Sequence, residues 1–282
     1  MKKLIDKLGL PRLVGIAGLA LLVIIFIVSL LFQNRTTDLS SAEIIFAGTE
    51  NDADCCIMIS DGSCLVIDTG EETDGPHIAE ILKSKGIETI NCLILSHPDN
   101  DHIGGASLLA DTFDIEMAIM PYYGKYRLIY TNLLNKFTEH GTEQIFPAKE
   151  SGLSVGELML TVYPPEKNYY DQDNDYSLAV LVEHGNVKMF FPGDAEKVRL
   201  KELSTVSLPE IDLLKVPHHG RSSSASSDFI QKISAPVAVV NSSSAESKIQ
   251  KALEKTGAAV YYTVGSDHRF TSDGESLTYA GT

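Results

Sequence analysis

Cysteine and basic side chains are both scarce in this sequence. Four of the 282 residues are cysteine, and none of them has the Cys-x-x-Cys spacing of a thiolate zinc site. Each lies in an apolar segment, and an Asp61-Gly62 hairpin turn would place Cys64 opposite Ile59, away from the neighbouring pair of cysteines. We therefore predict four buried free thiols that pack as small hydrophobic side chains, namely Cys55, Cys56, Cys64 and Cys92.

Positive charge is scarce outside the N-terminal segment. The chain has 23 Lys and Arg against 38 Asp and Glu, a formal net charge of −15. Because the first 35 residues carry +4 within that total, the remainder carries −19. A domain this acidic lacks the net positive charge that tight, non-specific binding of a nucleic-acid backbone requires. Bound divalent cations would make the electrostatic potential positive around their site. The net negative charge therefore argues against a high-affinity DNA-binding protein more than against a metal-dependent phosphodiesterase.

One apolar run, the 20 residues from Leu13 to Phe32, is long enough to cross a bilayer as a helix. Basic residues precede it, so the positive-inside rule places the N-terminus in the cytoplasm. A cleavable signal peptide is the alternative, but its apolar core is normally shorter, and no small-x-small cleavage site follows Phe32. We predict a single-pass membrane protein in which residues 1–35 form a cytoplasmic tail and anchor, 36–42 a linker, and 43–282 one domain outside the cytoplasm.

The densest group of metal-binding side chains is the segment from His97 to His102, His-Pro-Asp-Asn-Asp-His. The apolar stretch from Ile90 to Leu95 predicts a buried strand before it, and Ile103 begins a predicted helix. Two imidazoles and two carboxylates on such a loop are the ligand mixture that borderline divalent metals prefer. A solvated acidic turn is the alternative, disfavoured by the flanking histidines and the preceding strand. We predict four metal ligands here: His97, Asp99, Asp101 and His102.

Three other predicted strands also end in polar side chains. One ends in Asp68-Thr69-Gly70, where the carboxylate either orients a metal ligand or simply begins a turn. Another ends in Pro192-Gly193-Asp194, and a third runs into Pro217-His218-His219-Gly220. We predict Asp194, His218 and His219 as metal ligands. The sequence leaves open which histidine of the pair binds metal; the other could donate a proton or bind substrate.

Several polar segments keep more than one interpretation. The proline-marked loop from Tyr163 to Asp175 is either a substrate-facing lid or a solvated connector. The segment from Arg221 to Ser227 either binds an anionic oxygen or forms a serine-rich helix-capping loop. We predict no site role for the other histidines singled out: His140 ends a helix, His184 lies in a hairpin turn, and His268 lies in an exposed polar turn.

Strands and helices alternate on both sides of a hairpin-rich sheet, which predicts an α/β fold with helices covering two packed sheets. The predicted strands are 43–46, 54–60, 64–68, 90–95, 115–120, 153–162 with a break at Gly156, 177–183, 187–191, 211–216, 237–240 and 260–264. The predicted helices are 76–85, 124–140, 195–203 and 246–255.

Together these motifs resemble the metallo-β-lactamase superfamily, and more closely its ComEC-type competence-protein hydrolase branch. His97 to His102 is similar to the family's second motif, His-x-His/Asp-x-Asp-His, and Ile67 to Gly70 to its first. Phe191 to Glu196 resembles the bridging-aspartate motif, and Leu214 to Gly220 the late His-His-Gly motif. Asn174 to Leu178 resembles the branch's Asn-x-x-Ser-Leu segment, where other superfamily members often carry a histidine ligand.

Three features depart from the branch. It usually has Val-Gly-Gln-Gly-Asp-Ala near the first strands, where this chain has Ala47 to Ala53. An Asn and a His-Pro that are frequent between the last strands are replaced around residues 241–248. Competence channels have many membrane spans and this chain has one predicted span, so the resemblance does not imply DNA uptake.

The resemblance implies a four-layer αβ/βα metallo-β-lactamase sandwich, here preceded by one transmembrane helix, with one or two divalent ions, zinc or manganese, along one edge. It implies a hydrolase in which the ion lowers the pKa of water, with catalytic roles for Asp101, His218 and Asp68. The predicted partners are the lipid bilayer, through residues 13–32, and a small or polymeric phosphoester. The acidic charge does not support nucleic acid, and the sequence identifies no protein partner.

Three hypotheses for function follow. The first is hydrolysis of a phosphoester, including a phosphodiester, and the second hydrolysis of a lactone, an amide or a choline phosphoester. The third is a non-catalytic surface protein with a structural or ligand-capturing metal site. A structural ion has all its coordination positions filled by protein, whereas this pattern supplies ligands for two half-filled sites, which favours catalysis.

Overall fold

Two mixed β-sheets form the centre of the structure, a computed structural model that describes residues 39–282. The predicted membrane anchor lies outside the described residues. From Ser40 to Thr282 the chain is one compact unit. Within this part of the chain, no helix combines the length and apolar character that a membrane crossing requires. The predicted boundaries of tail, anchor and linker therefore stay predictions.

The first sheet has eight strands in the described region, in the order β17-β16-β1-β2-β3-β5-β7-β8. Its strands are β1 (Ala42–Phe46), β2 (Cys56–Ser60), β3 (Ser63–Ile67), β5 (Cys92–Ile94), β7 (Met117–Ile119), β8 (Glu143–Ile145), β16 (His268–Ser272) and β17 (Leu277–Gly281). A separate short pair joins β4 (Thr89–Ile90) to β6 (Asp114–Ile115). The predicted strand 115–120 is thus divided between β6 and β7.

The second sheet has seven strands in the same region, in the order β15-β14-β13-β12-β11-β10-β9. Its strands are β9 (Ser151–Val155), β10 (Leu158–Tyr163), β11 (Ala179–His184), β12 (Val187–Phe191), β13 (Leu213–Lys215), β14 (Val237–Val240) and β15 (Ala259–Tyr262). The helices are α1 (Gly75–Ser84), α2 (Asn100–Ile103), α3 (Ala106–Thr112), α4 (Leu128–His140), α5 (Lys197–Leu203), α6 (Ser226–Ile233) and α7 (Ser247–Thr256).

Three apolar layers hold these elements together. Ile78, Leu109 and Phe137 of α1, α3 and α4 pack on one face of the first sheet. The facing surfaces of the two sheets enclose a second layer, to which β1 and β11 both contribute. Helices α5 to α7 cover the outer face of the second sheet. The predicted α/β fold with helices outside two packed sheets is confirmed.

The β2–β3 hairpin sets the register of the first sheet. Asp61 and Gly62 both have positive φ, 48° and 72°, the conformation that tight two-residue hairpin turns require. The turn places Ile59 opposite Cys64 and Cys56 opposite Ile67. All four cysteines are buried and free, as predicted. Because the two strands run antiparallel, residues just before β2 lie at the same edge as residues just after β3.

The predicted site residues follow carboxyl ends of strands that meet at one edge. Parallel strands β3 and β5 end next to each other, as do β12, β13 and β14 in the second sheet. The amide of Leu178 donates to the carbonyl of Ser96 across 2.8 Å, which joins the two sheets at this edge. The fold thus brings four distant loops together.

Three predictions about local structure are wrong. His268, predicted to be exposed, is the first residue of β16, where it is 9% exposed because its ring packs on Tyr261. His184, predicted in a turn, ends β11 and is fully buried beside Ser272. The helix predicted from residue 124 begins at Leu128, because the preceding Lys125 and Arg127 contact acidic side chains of other loops.

Candidate metal centre

Four side-chain atoms from three loops converge at this edge: Nε2 of His102 and His219, and Oδ2 of Asp101 and Asp194. Nε2 of His219 lies 2.8 Å from Asp194 Oδ2 and 3.1 Å from Asp101 Oδ2. Nε2 of His102 lies 3.3 Å and 3.9 Å from the same two oxygens. A tetrahedral ion with bonds of about 2.0–2.2 Å separates its ligands by about 3.3–3.5 Å. The four atoms, which we call the quartet, therefore have the spacing of a metal site.

Burial of the imidazoles also supports a metal site. The rings of His97 and His102 are 1% and 0% exposed, and Nε2 of each has no hydrogen-bond partner among the described residues. Buried polar atoms without a partner are rare and call for an explanation. Two nitrogens and two carboxylate oxygens are a donor set that suits zinc or manganese. A divalent ion thus fits the residues present.

The outward-facing nitrogens fix the orientation of the two quartet rings. Nδ1 of His102 donates to Oδ2 of Asp68 across 2.8 Å. Nδ1 of His219 donates to the carbonyl of Asn241 at 3.2 Å and lies 3.2 Å from Oδ1 of Asp54. Hydrogen bonds of this kind turn Nε2 toward a metal and set the tautomer. Asp68 is thus placed as an orienting carboxylate and not in the quartet.

Asp68 is itself held in place by the end of β5. The backbone amide of Ser96 donates to its Oδ1 and the Ser96 hydroxyl to its Oδ2, both at 2.7 Å. Its φ is +59°, a left-handed conformation that a non-glycine residue adopts only when its surroundings enforce it. The turn-forming and the orienting interpretations of Asp68 therefore apply together.

The adjacent histidines point to different places. His218 and His219 both have positive φ, 52° and 49°, and this strained turn separates their side chains. His219 is 1% exposed and belongs to the quartet, whereas the side chain of His218 is 20% exposed. Nδ1 of His218 lies 3.6 Å from Oε1 of Glu196. The geometry therefore selects His219 as the ligand and leaves His218 facing the neighbouring space.

Asp54 belongs to this site, and the sequence analysis missed it. It precedes β2, is 4% exposed, and lies close enough to His102, Asp194 and His219 to join a metal-binding group. However, it faces Nδ1 of both rings, and Oδ2 of Asp54 is in contact with the ammonium of Lys215. We therefore assign Asp101, which faces Nε2 of both rings, to the quartet instead of Asp54.

Two predicted ligands lie beside the quartet. The rings of His97 and His102 are 4.1 Å apart, and Nε2 of His97 is 3.7 Å from Oδ2 of Asp99. The guanidinium of Arg127 contacts Oδ1 of Asp99 and also donates to the carbonyl of Pro98. The pKa of Asp99 is lowered, because His97 and Arg127 outweigh the effect of burial. A second ion bound by His97 and Asp99 stays a prediction.

The charged groups of the centre shift one another's pKa values. Burial works to raise the pKa of Asp194, but His219, Lys215 and His102 lower it well below its usual value. Burial opposes the charged form of His102 and His219 too, yet Asp194 raises the pKa of both above the ordinary range. In the metal-free protein the neighbouring carboxylates therefore favour the protonated form of both imidazoles.

An acidic groove borders the quartet at Asp101. It has a volume of about 470 Å³, and its lining includes Asp101, which is the most exposed quartet residue, and Arg221. The guanidinium of Arg221 is half exposed and lies 3.1 Å from Asp52. Serines after Arg221 bind within their own segment or to Glu246. The serines thus form local hydrogen bonds without a side-chain cap on α6, and Arg221 lines the groove.

The loop from Tyr163 to Asp175 is tied down at several points. The buried guanidinium of Arg199 donates to the carbonyl of Tyr163, and the hydroxyl of Tyr170 donates to Glu202 at 2.8 Å. Near its end, the ammonium of Lys125 contacts Asp173 at 2.6 Å. These contacts favour the connector interpretation of the loop over the lid.

Comparison with known sequences supports the resemblance. Residues 49–128 match the family profile described as the metallo-beta-lactamase superfamily. The chain is 30% identical over 162 residues to ComE operon protein 3 of Bacillus subtilis (strain 168), covering 57% of this chain and 21% of that protein. It is 28% identical over 191 residues to Recombination protein 2 of Haemophilus influenzae, covering 66% and 22%. The chain thus spans about a fifth of the length of these relatives.

Solved structures share the fold. CmlA, a diiron beta-hydroxylase from Streptomyces venezuelae, is 13% identical with a TM-score of 0.55, over 82% of this chain and 54% of CmlA. The metallo-beta-lactamase fold protein YhfI from Bacillus subtilis is 13% identical with a TM-score of 0.54, over 82% and 99%. At this identity the likeness establishes the fold alone.

Proposed function

We propose that this chain, a metal-dependent hydrolase of the metallo-beta-lactamase superfamily, cleaves phosphoesters and in particular phosphodiesters. The observation that carries the proposal is the quartet of His102, His219, Asp101 and Asp194, which borders a groove at Asp101. One similar protein is named for recombination, a reaction of phosphodiester polymers, which supports this bond class. Because the match covers only about a fifth of the length of these relatives, their whole activity is not carried over.

The residues in and around the quartet have different roles in the proposed reaction. A divalent ion, zinc or manganese, would supply Lewis-acid charge and a water of lowered pKa when bound. Asp101, His102, Asp194 and His219 would hold it, and Asp68 keeps the His102 ring turned inward. The partly exposed His218 lies where it can contact the substrate or move a proton to the leaving oxygen.

Arg221 gives the groove a binding group for the phosphoryl oxygens. Its guanidinium is the basic side chain in a groove lining that otherwise offers carboxylates, amides, a hydroxyl and a valine. A planar guanidinium binds phosphate oxygens through two parallel hydrogen bonds. The surrounding acidic residues repel polyanions at long range. This favours small phosphodiesters, or those whose negative charge is balanced by a cationic group in the same molecule, over extended nucleic acid.

The location outside the cytoplasm is part of the proposal. Residues 13–32 would anchor the chain in the bilayer with the N-terminus in the cytoplasm, as their apolar character and the preceding basic residues indicate. Protease added to intact cells tests this topology. We expect digestion of the domain without lysis; protection until lysis would contradict the predicted orientation.

A substrate panel tests the proposed bond class. The full chain, purified in detergent without chelator, is loaded with Mn, Zn, Co or Mg and assayed on a chromogenic phosphodiester, a phosphomonoester and a lactone. We expect metal-dependent phosphodiester turnover that Asp101→Ala abolishes. Turnover of the lactone with none of either phosphoester would contradict the proposal and select the second hypothesis.

A further inference from the structure

Lys215 is a buried cation inside the proposed metal centre. It is the last residue of β13 and is 3% exposed, although lysine is almost never fully buried unless it is paired. Its ammonium donates to Oδ1 of Asp194 at 2.9 Å and to the carbonyl of Gly193 at 3.1 Å, and it also contacts Oδ2 of Asp54. All three ammonium hydrogens thus have an acceptor.

The two oxygens of Asp194 serve different partners. Oδ1 receives the hydrogen bond from Lys215, while Oδ2 faces Nε2 of both His102 and His219. A carboxylate held at one oxygen by a fixed donor cannot rotate freely about its side-chain bonds. The Lys215 contact therefore sets which oxygen of Asp194 is presented to the quartet.

Lys215 also accounts for the charge of Asp54. Burial alone would raise the pKa of the Asp54 carboxyl, but Lys215 and the two imidazoles lower it to about 2. The Asp54 amide donates to the carbonyl of Asp101 across 3.0 Å, so the position of Asp54 is linked to that of a quartet residue. Asp54 is thus an ionised carboxylate whose partner is an internal ammonium.

We propose that Lys215 is a positioning residue of the metal centre, a fixed cation that directs Oδ2 of Asp194 toward the ion and keeps Asp54 out of its coordination sphere. The inference rests on the metal site of the proposed function but not on the identity of the substrate. It requires neither a change of protonation of Lys215 nor contact between Lys215 and the reacting bond.

A purely structural role is the competing explanation. In that case Lys215 would only neutralise Asp54, and the positions of the quartet atoms would not depend on it. Charge and positioning act in opposite directions on metal affinity. Removing an ammonium next to a divalent cation strengthens cation binding through charge alone, whereas releasing Asp194 weakens it.

A pair of variants separates the two effects. In the Asp54→Asn background the charge that Lys215 would neutralise is already removed, and Lys215→Met then removes the ammonium with little change of side-chain volume. Metal binding is measured by titration calorimetry with Zn and Mn on the full chain in detergent, and the thermal unfolding midpoint is measured on the metal-free protein. Lys188→Met is the matched control, at a half-buried lysine of β12 whose ammonium donates to the carbonyl of Asn186 in the adjacent hairpin turn.

Positioning predicts that the double variant binds metal about 10–100-fold more weakly than Asp54→Asn alone. Relative to Asp54→Asn, the double variant has lost one positive charge, which by itself would strengthen cation binding, so the expected loss cannot come from charge. Lys188→Met should match the wild type in affinity and unfolding midpoint. A double variant that binds metal as tightly as Asp54→Asn, or more tightly, would overturn the proposal.

Two further readouts complete the test. Lys215→Met alone leaves Asp54 buried without its cation, so its unfolding midpoint should fall, and the double variant should recover most of that fall. If Asp54→Asn by itself removes metal binding completely, Asp54 is a ligand and the proposal is wrong. A wild-type chain that binds metal without cleaving phosphodiesters would contradict the proposed function and leave this inference standing.

Discussion

Nδ1 of His102 donates to Oδ2 of Asp68 over 2.8 Å, between two side chains that the protein buries almost completely. Ser96 donates to both oxygens of that carboxylate, which restrains the carboxylate from turning away from the ring. The contact therefore determines the direction in which Nε2 of His102 points.

Asp68→Asn should weaken metal binding without removing it. The amide keeps the shape of the carboxylate but loses its charge, and mutations of such orienting partners typically cost 10–100-fold in metal affinity. Titration calorimetry of the variant against the wild type measures the loss. Unchanged affinity would show that the ring of His102 is oriented by other contacts.

The adjacent histidines should separate metal binding from turnover. His219→Ala removes a quartet atom, so we expect loss of bound metal and of activity. His218→Ala leaves the quartet intact, so we expect full metal occupancy with turnover reduced about 10²–10⁴-fold, the usual contribution of a proton-transferring side chain. The two positions share one turn, which makes each variant the control of the other. Metal loss in His218→Ala would contradict the assignment.

Metal binding should release protons. In the metal-free protein, burial opposes the charged form of His102 and His219, but Asp194 and neighbouring carboxylates raise the pKa of both imidazoles well above the ordinary value, which favours a proton on each ring. An ion can bind Nε2 only after that proton leaves, so affinity falls as the pH falls, with release of about two protons per ion. Calorimetry in buffers of different ionisation enthalpy counts these protons. Heats independent of the buffer would show that the rings are neutral before binding.

Gly105 should tolerate no side chain. It lies between α2 and α3 with φ −73°, and a Cβ there would be 2.3 Å from the carbonyl oxygen of Thr69. The amide of Thr69 donates to the carbonyl of His102, so a shift of Thr69 away from the added Cβ would also move His102 in the metal centre. Gly105→Ala should lower the free energy of unfolding by about 1–3 kcal/mol, as other overpacked sites do.

Gly152→Ala is the matched control for that substitution. A Cβ at Gly152 meets its nearest atom, the carbonyl oxygen of Leu160, at 3.6 Å, which is an ordinary contact. We expect a change within about 0.5 kcal/mol in chemical denaturation. Equal effects of the two substitutions would show that the close approach at Gly105 is relieved by a small backbone shift.

Hydrophobic periodicity and turn residues predicted most of the fold. The alternation of apolar strands with short helices is a local signal, and the Asp61-Gly62 turn correctly predicted that Ile59 faces Cys64. The same register places Cys56 opposite Ile67, and its continuation brings Asp54 to the loop that follows β3, where the amide of Gly70 donates to the carbonyl of Asp54. Asp54 could have been found by extending the hairpin by two residues, a step that the sequence motifs did not prompt.

Other parts of the site depend on contacts that no local pattern contains. Asp99 has the spacing of a ligand, but Arg127, 28 positions later, contacts one of its oxygens. Lys215 lies in an apolar strand beside the His-His-Gly motif, and its partner Asp54 is brought to it by packing of the two sheets. Such pairings are set by tertiary structure and not by sequence spacing.

The most direct test of the metal centre is anomalous diffraction from crystals of the chain grown with zinc or manganese. The account predicts an ion about 2.0–2.2 Å from Nε2 of His102 and His219 and from Oδ2 of Asp101 and Asp194. In that structure Lys215 should still contact Asp54 and Oδ1 of Asp194. An ion bound by Asp54 in place of Asp101, or no ion at the quartet, would contradict the central claim.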